Sequence, residues 1–336
     1  MLDTLLNTGR IPGYIYRSVI HQKIKRTLKD EKARYRKTHG NCKRDFVGQL
    51  KQSPIALSTA LANQQHYEVP TDFFRYVLGP HMKYSCCDYT NSNHLADAEK
   101  AMLKLTCERA DIQDGQTILD LGCGWGSLTC YIAEHYPNAQ ITAVSNSTTQ
   151  QAFIQKQLQQ RGLKPVTCMK TDVNDLSLSQ RYDRIVSIEL FEHVRNYTQL
   201  FQRLSNALNS QGILFVHHFC HQYLTYAYDP ETSWMAKHFF TDGIMPSEDL
   251  LLFFDHAIPI EQRWQVNGEH YAKTCRHWLE NLHAHKSSIL DLFSSHYDKP
   301  RLQYEYWELF FRACEQLFAW DKGTEWFVTH YRFRKP

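Results

Sequence analysis

From residue 95 onward the chain alternates between two hydrophobic periods. "ADAEKAMLKLTCERA" carries apolar residues at helical spacing, and "QTILDL" is a short apolar run of strand length. "SLTCYIAEHY" is helical again, "QITAV" a strand, and "TTQQAFIQKQLQQRG" a helix closed by Gly162. "PVTCM" and "YDRIVSI" read as strands, "YTQLFQRLSNALN" as a helix and "GILFVHHF" as a strand. Few folds accept this order. Strands joined by helices connect through right-handed crossovers into a parallel sheet covered on both faces. The alternation stops after the fifth strand. Residues 221–262 are rich in aromatics and too irregular for a simple crossover, which predicts an insertion over the strand ends. "RWQVNGEHY" and "EWFVTHYRF" read as late strands, with helices over about 273–291 and 300–319 between them.

A chain of 336 residues, 43% hydrophobic, suffices for one large domain with an appended piece. There is no internal repeat. The longest strictly apolar runs, such as "LLLFF", fall far short of a membrane span. "MLDTLLNTGR" lacks the basic start and apolar core of a signal peptide. The ten cysteines form no CxxC pair, which points to reduced thiols. These features set the expectation of a cytoplasmic protein. Charge is uneven: residues 1–62 carry +9, against +3 for the whole chain. In this basic arm Tyr16, Ile20, Ile24 and Leu28 share one helical face, which predicts a helix packed on the body, 63–336. Contact with anionic lipid is the competing reading of the same arm.

"ILDLGCGWGSL" (118–128) follows a strand and opens a helix. Gly122, Gly124 and Gly126 permit a tight turn and a close backbone approach. The spacing is G-x-G-x-G, where dinucleotide enzymes have G-x-G-x-x-G. With Asp120 ahead of it, the loop resembles motif I of the S-adenosylmethionine (SAM) methyltransferases. After the second strand those enzymes usually carry an acid for the ribose, but this chain reads "AVSNSTTQ". That departure resembles the cyclopropane fatty acid synthases and their relatives, which use short polar residues and a glutamine.

From about residue 66 the chain resembles the coclaurine N-methyltransferase branch of that superfamily. The stretches that carry the likeness include "HYEVPTDFFRYVLGPHMKYSCCDY", "LDLGCGWGSLTCYIA", "YDRIVSIELFEHVRNY", "LFVHHFCH", "MPSEDLLLFF", "NGEHYAKT" and "EWFVTH". "LLNTGRIPGYIYRSVIHQKIKRTL" is similar to the start of these enzymes. The resemblance implies an α/β, Rossmann-like class I methyltransferase sheet, mostly parallel with an antiparallel last strand. It implies SAM as cofactor, held by the three glycines with Tyr84, Ser85, Ser145, Asn146, Gln150, Asp172, Val173, Ser187 and Ile188. It implies a small-molecule amine as methyl acceptor, with Glu189, Glu192 and His193 as the catalytic trio.

Residue chemistry agrees with that trio. An ammonium has no lone pair, so an N-methylating site must hold a cation and remove a proton, and a carboxylate does both. Tyr306, Trp307 and Phe310 match aromatic substrate-pocket positions by resemblance, although their helical spacing also suits core packing. Cyclopropane synthases typically carry Gly in place of Glu189 and bind bicarbonate. By resemblance the bicarbonate pocket here would comprise Cys86, Glu192, His217 and Tyr271, all present, so lipid cyclopropanation is the alternative reading. Glu189 opposes it, because an acid beside a bound anion costs Coulomb energy. A protein that keeps SAM without catalysis is a third reading, which the intact trio disfavours. His217, His218, Cys220 and His221 match no zinc spacing, and alternate strand residues face opposite ways, so no metal is expected. No D/N-P-P-Y-type motif is present, and nucleic acid is not expected as a partner.

Overall fold

The computed structural model describes residues 2–9, 11–57, 69–164, 166–231, 233–254 and 257–336. The expected 62/63 boundary and the His66–Glu68 start of the first family-like stretch lie outside the described residues. One seven-stranded sheet contains β1 (Thr117–Leu121), β2 (Gln140–Ser145), β3 (Thr167–Lys170), β4 (Tyr182–Ile188), β5 (Leu208–His221), β6 (Ile260–Val266) and β7 (Trp326–Arg334). Their order is β3-β2-β1-β4-β5-β7-β6. The first five pair in parallel, and β7 runs antiparallel to both β5 and β6. This is the mostly parallel sheet with an antiparallel last strand that the sequence reading expects. Ile118, Leu119, Ile185, Val186, Leu214 and Phe215 are fully buried in its centre, because helices cover both faces. Strand order reverses between β1 and β4, which opens a crevice at their carboxyl ends.

The segment between β5 and β6 lies over those ends. It holds a two-stranded ribbon of Tyr226–Ala227 and Ile244–Met245 and a short helix, Trp234–His238. Beyond it, one expected element changes. "RWQVNGEHY" does not continue as a strand past Val266; the helix Gly268–Ala284 begins there. The Asn267 side chain accepts the Glu269 N–H at 2.8 Å and caps the helix, a local signal that outweighs the strand pattern. The helix expected over 273–291 is therefore two, Gly268–Ala284 and Lys286–Ser294, followed by Pro300–Phe318.

In the arm, the helix Gly13–Lys37 buries Tyr16, Ile20, Ile24 and Leu28 in the same core as Trp307 and Phe311. Tyr16 Oη donates to Glu305 Oε2 at 2.8 Å, and Lys32 Nζ lies 2.7 Å from Glu325 Oε1. A second arm helix, Asn41–Gln52, leads to Ile55, whose carbonyl accepts the Arg195 N–H. Among the described residues, no helix is long and apolar enough to cross a membrane.

Candidate active site

The glycine loop joins β1 to the helix Ser127–His135. Gly122, Gly124 and Gly126 all have positive φ, at 81°, 52° and 76°. They do different work. A Cβ on Gly124 would meet open space, so its backbone fronts a cavity. A Cβ on Gly126 would lie 2.4 Å from Ile154, so Gly126 serves helix packing.

Two cavities meet at this loop. The larger, about 190 Å³, runs from Tyr84, Ser85 and Ile188 to an aromatic floor; the smaller, about 90 Å³, is walled by Ser145, Asn146 and Val173. Gly122, Gly124, Gln150, Glu189 and His193 border both. Along the larger cavity Trp125 Nε1, Ser127 Oγ and Gln150 Nε2 are buried with no partner among the described residues. Three such donors on one cavity wall offer hydrogen bonds to a polar ligand. A cofactor with ribose hydroxyls and an amino-acid end fits the set. Two residues expected at the cofactor line neither cavity themselves: Ser187 Oγ donates to the Leu121 carbonyl at 3.0 Å, and Asp172, between the cavity-lining Thr171 and Val173, accepts its own loop's Asn174 N–H. Ala56 and Leu57, from the end of the arm, line the smaller cavity, a contribution no local motif marks.

Glu189 directly follows β4 with φ 50°, a left-handed conformation that is costly for any residue but glycine. Its carboxylate is gripped from three elements. Oε1 accepts the Cys86 N–H at 2.9 Å and lies 3.3 Å from His217 Nε2; Oε2 accepts the Tyr271 hydroxyl at 2.5 Å. The Cys86 N–H, His217 and Tyr271 are three of the four expected bicarbonate contacts. Here the protein's own carboxylate occupies them. Glu192 is different: it is fully buried, Oε1 accepts the Phe219 N–H at 2.7 Å, and Oε2 has no partner among the described residues. Burial and the Glu189 charge push the Glu192 carboxyl well above the usual range. Burial also raises Glu189, while Lys83, the Tyr271 hydroxyl and the Cys86 N–H oppose it. The donors around Glu189 favour its charged form, whereas burial and the Glu189 charge favour the protonated form of Glu192. His193 closes the junction, its ring 4.7 Å from that of Phe240 in the insertion.

The aromatic helix divides by face. Phe310 lines the larger cavity with Tyr228, Met235 and Phe240. Trp307 is fully buried against Phe73 and Phe239, a core residue. Tyr306 lies a layer further out, 4.4 Å from the His238 ring. Residues that sequence reading missed support the site from behind. Glu99 accepts the N–H groups of His81 and Lys83 and fixes the loop before Tyr84, and its burial pushes it up to about 7. Lys83 Nζ, buried, donates to Ser85 Oγ and to the Cys86 carbonyl at 2.8 Å. No local periodicity marks either, since each acts across a loop.

A model of the mycolic acid cyclopropane synthetase family matches residues 57–324. The chain belongs to this family. It is 37% identical to (S)-coclaurine N-methyltransferase of Thalictrum flavum subsp. glaucum, over 85% of this chain and 82% of that one. The crystal structure of a coclaurine N-methyltransferase bound to N-methylheliamine and SAH superposes with a TM-score of 0.92, at 32% identity and 99% coverage of both chains. Cyclopropane-fatty-acyl-phospholipid synthase of Escherichia coli (strain K12) is 31% identical, over 71% of this chain and 61% of that one. This family member is a SAM-dependent methyltransferase enzyme, with the N-methyltransferases as near relatives and the lipid synthase more distant.

Proposed function

We propose that this enzyme methylates the nitrogen of a small aromatic amine of the coclaurine-like tetrahydroisoquinoline type. One observation carries the reading: the Glu189 carboxylate sits in the wall shared by both cavities, held in the cradle expected for bicarbonate. When bound, SAM supplies a methyl group on a positively charged sulfur. Glu189 attracts the ammonium and accepts its proton, which frees the nitrogen lone pair for in-line attack. The hydrogen bonds from Tyr271, Cys86 and His217 keep the carboxylate aimed at the junction. Glu192, protonated, leaves Glu189 as the single negative charge of the pair. His193 borders the same junction and orients the amine or passes the proton to solvent. Phe310, Phe240, Tyr228 and Met235 offer aromatic and apolar surface for a flat cation, and exclude water from it.

Lipid cyclopropanation would need the cradle free for an external anion, and Glu189 fills it. Incubation with labelled SAM and either a panel of tetrahydroisoquinolines or unsaturated phospholipid vesicles separates the two. Label in the amine is expected. Label in the vesicles alone overturns the proposal.

A further inference from the structure

Behind Glu189 lies a row of groups that line neither cavity. His217 on β5 and His330 on β7 are direct cross-strand partners, so their side chains share one face of the sheet. His330 Nε2 lies 2.9 Å from His217 Nδ1, and His217 Nε2 lies 3.3 Å from Glu189 Oε1. At the far end Arg109 Nη1 is 2.7 Å from His330 Nδ1. Both imidazoles are fully buried. Burial and the nearby cations hold both well below the ordinary histidine range, so neither takes a second proton.

A guanidinium only donates. His330 Nδ1 must therefore accept, which puts the His330 proton on Nε2. That N–H donates to His217 Nδ1, which puts the His217 proton on Nε2, facing Glu189. One cation thus orders every hydrogen bond of the chain. We propose that Arg109 and His330 are positioning residues for methyl transfer: their donor order keeps the His217 Nε2–H aimed at Glu189 and so fixes the orientation of that carboxylate. The proposal rests on the reading of Glu189 as the group that meets the amine.

The same order closes this route to protons. Glu189 cannot pass a proton to His217, because the nitrogen that faces it, Nε2, already bears one, and at the far end a His330 Nδ1–H would point at a guanidinium, which has no lone pair. The proton taken from the ammonium must leave on the cavity side, past His193. Arg109 is well suited to its place. It ends the helix Leu95–Arg109, its guanidinium lies 4.9 Å from the Trp264 ring centre, and Arg332 donates to its carbonyl. Asp88 and Glu108 provide counter-charge at that end. Lys83, and His218 on the opposite face of β5, are the further titratable groups near the two imidazoles. At Glu189 the neighbours are Lys83, Tyr271, Cys86, Cys275 and Glu192.

The test uses the full chain labelled with 15N-histidine, because two-bond proton–nitrogen spectra distinguish the tautomers. Wild type should show His217 and His330 both protonated at Nε2, unchanged over about pH 5 to 9. Arg109→Met should release the order, giving mixed tautomers, a kcat lower by about 10- to 100-fold and a shifted acid limb of kcat/KM. Arg109→Lys, still a cationic donor, should restore both. The pair His330→Gln and His330→Leu makes the comparison without touching Arg109. The glutamine amide can accept from Arg109 and donate to His217, while leucine can do neither. Rate retained in the first and lost in the second supports the proposal. Arg109→Met or His330→Leu lowering only the melting temperature, with His217 tautomer, kcat and pH limb unmoved, overturns it. Because the spectra need no substrate, failure to methylate any amine would count against the functional reading and leave the tautomer order separately decided.

Discussion

At Glu189 a charged residue takes a backbone conformation that glycine would take without strain, and the hydrogen bonds to its carboxylate secure that conformation. Two carboxyls three positions apart thereby meet different surroundings, with Cys86, His217 and Tyr271 at Glu189 and the Phe219 N–H at Glu192. Glu189→Gln removes charge and basicity together, so amine methylation should fall ~10²–10⁴-fold while SAM binding persists. Raising the pH should partly restore the rate, since more amine arrives unprotonated. In wild type, activity should fall as the pH drops and Glu189 takes up a proton. That limb should lie above the ordinary glutamate range, because burial raises Glu189. Glu192→Gln replaces a carboxyl whose burial favours its protonated form, and the amide oxygen can keep the Phe219 N–H; a loss under ~10-fold is expected. Equal losses in the two variants, measured as kcat/KM, would contradict the division of roles. Glu189→Gly empties the cradle without backbone strain. Added formate or bicarbonate should then recover part of the amine activity, and a flat response across anion concentration would show that the cradle does not act as described.

Single elements here serve the core and the site with different faces. On Pro300–Phe318, Trp307 is enclosed by Phe73 and Phe239, whereas Phe310 reaches the cavity. Trp307→Ala should cost about 3–5 kcal/mol of stability by opening a core void. Phe310→Ala should raise the amine KM about 10-fold with a small change in melting temperature. Calorimetry and steady-state kinetics on both variants decide this, and the reverse pattern would exchange the two faces. The glycine loop splits in the same way. Gly124→Val should abolish SAM binding by titration, since the new side chain enters the cavity and the backbone is left-handed. Gly126→Val drives a Cβ into Ile154, so it should lower the melting temperature before any effect on binding can be read.

Across the whole molecule the basic arm acts as an outer layer of the body. Its helix Gly13–Lys37 lays four buried side chains on the core, with a Tyr16–Glu305 hydrogen bond and a Lys32–Glu325 ion pair beside them. Buried, Ile20, Ile24 and Leu28 contribute up to about 1.5–3 kcal/mol each. Deleting residues 1–38 should therefore lower the melting temperature by more than about 5 °C. Salt-sensitive sedimentation of the intact protein with anionic vesicles, lost on deletion without any loss of stability, would instead make the arm a lipid-binding element.

Hydrophobic period indicated most of the elements and the parallel sheet, and glycine spacing marked the loop that family resemblance assigned to the cofactor, because each is a local property: a period of two or of 3.6 declares which face is buried. The Glu189–Glu192–His193 cluster was legible for the same reason, its members being adjacent in the chain. What the acids do was not. Cys86, His217 and Tyr271 reach Glu189 from 103, 28 and 82 residues away, and Arg109 meets His330 across 221. Strand register and helix crossover set those meetings, and neither leaves a trace in local periodicity. The capping of Asn267, which turned an expected strand into a helix, lay within reach of the sequence as an Asn-Gly step. The separation of Trp307 from Phe310 did not, because both belong to one apolar stripe. Only the packing of the insertion and the neighbouring helices decides which part of that stripe meets a cavity and which part meets the core.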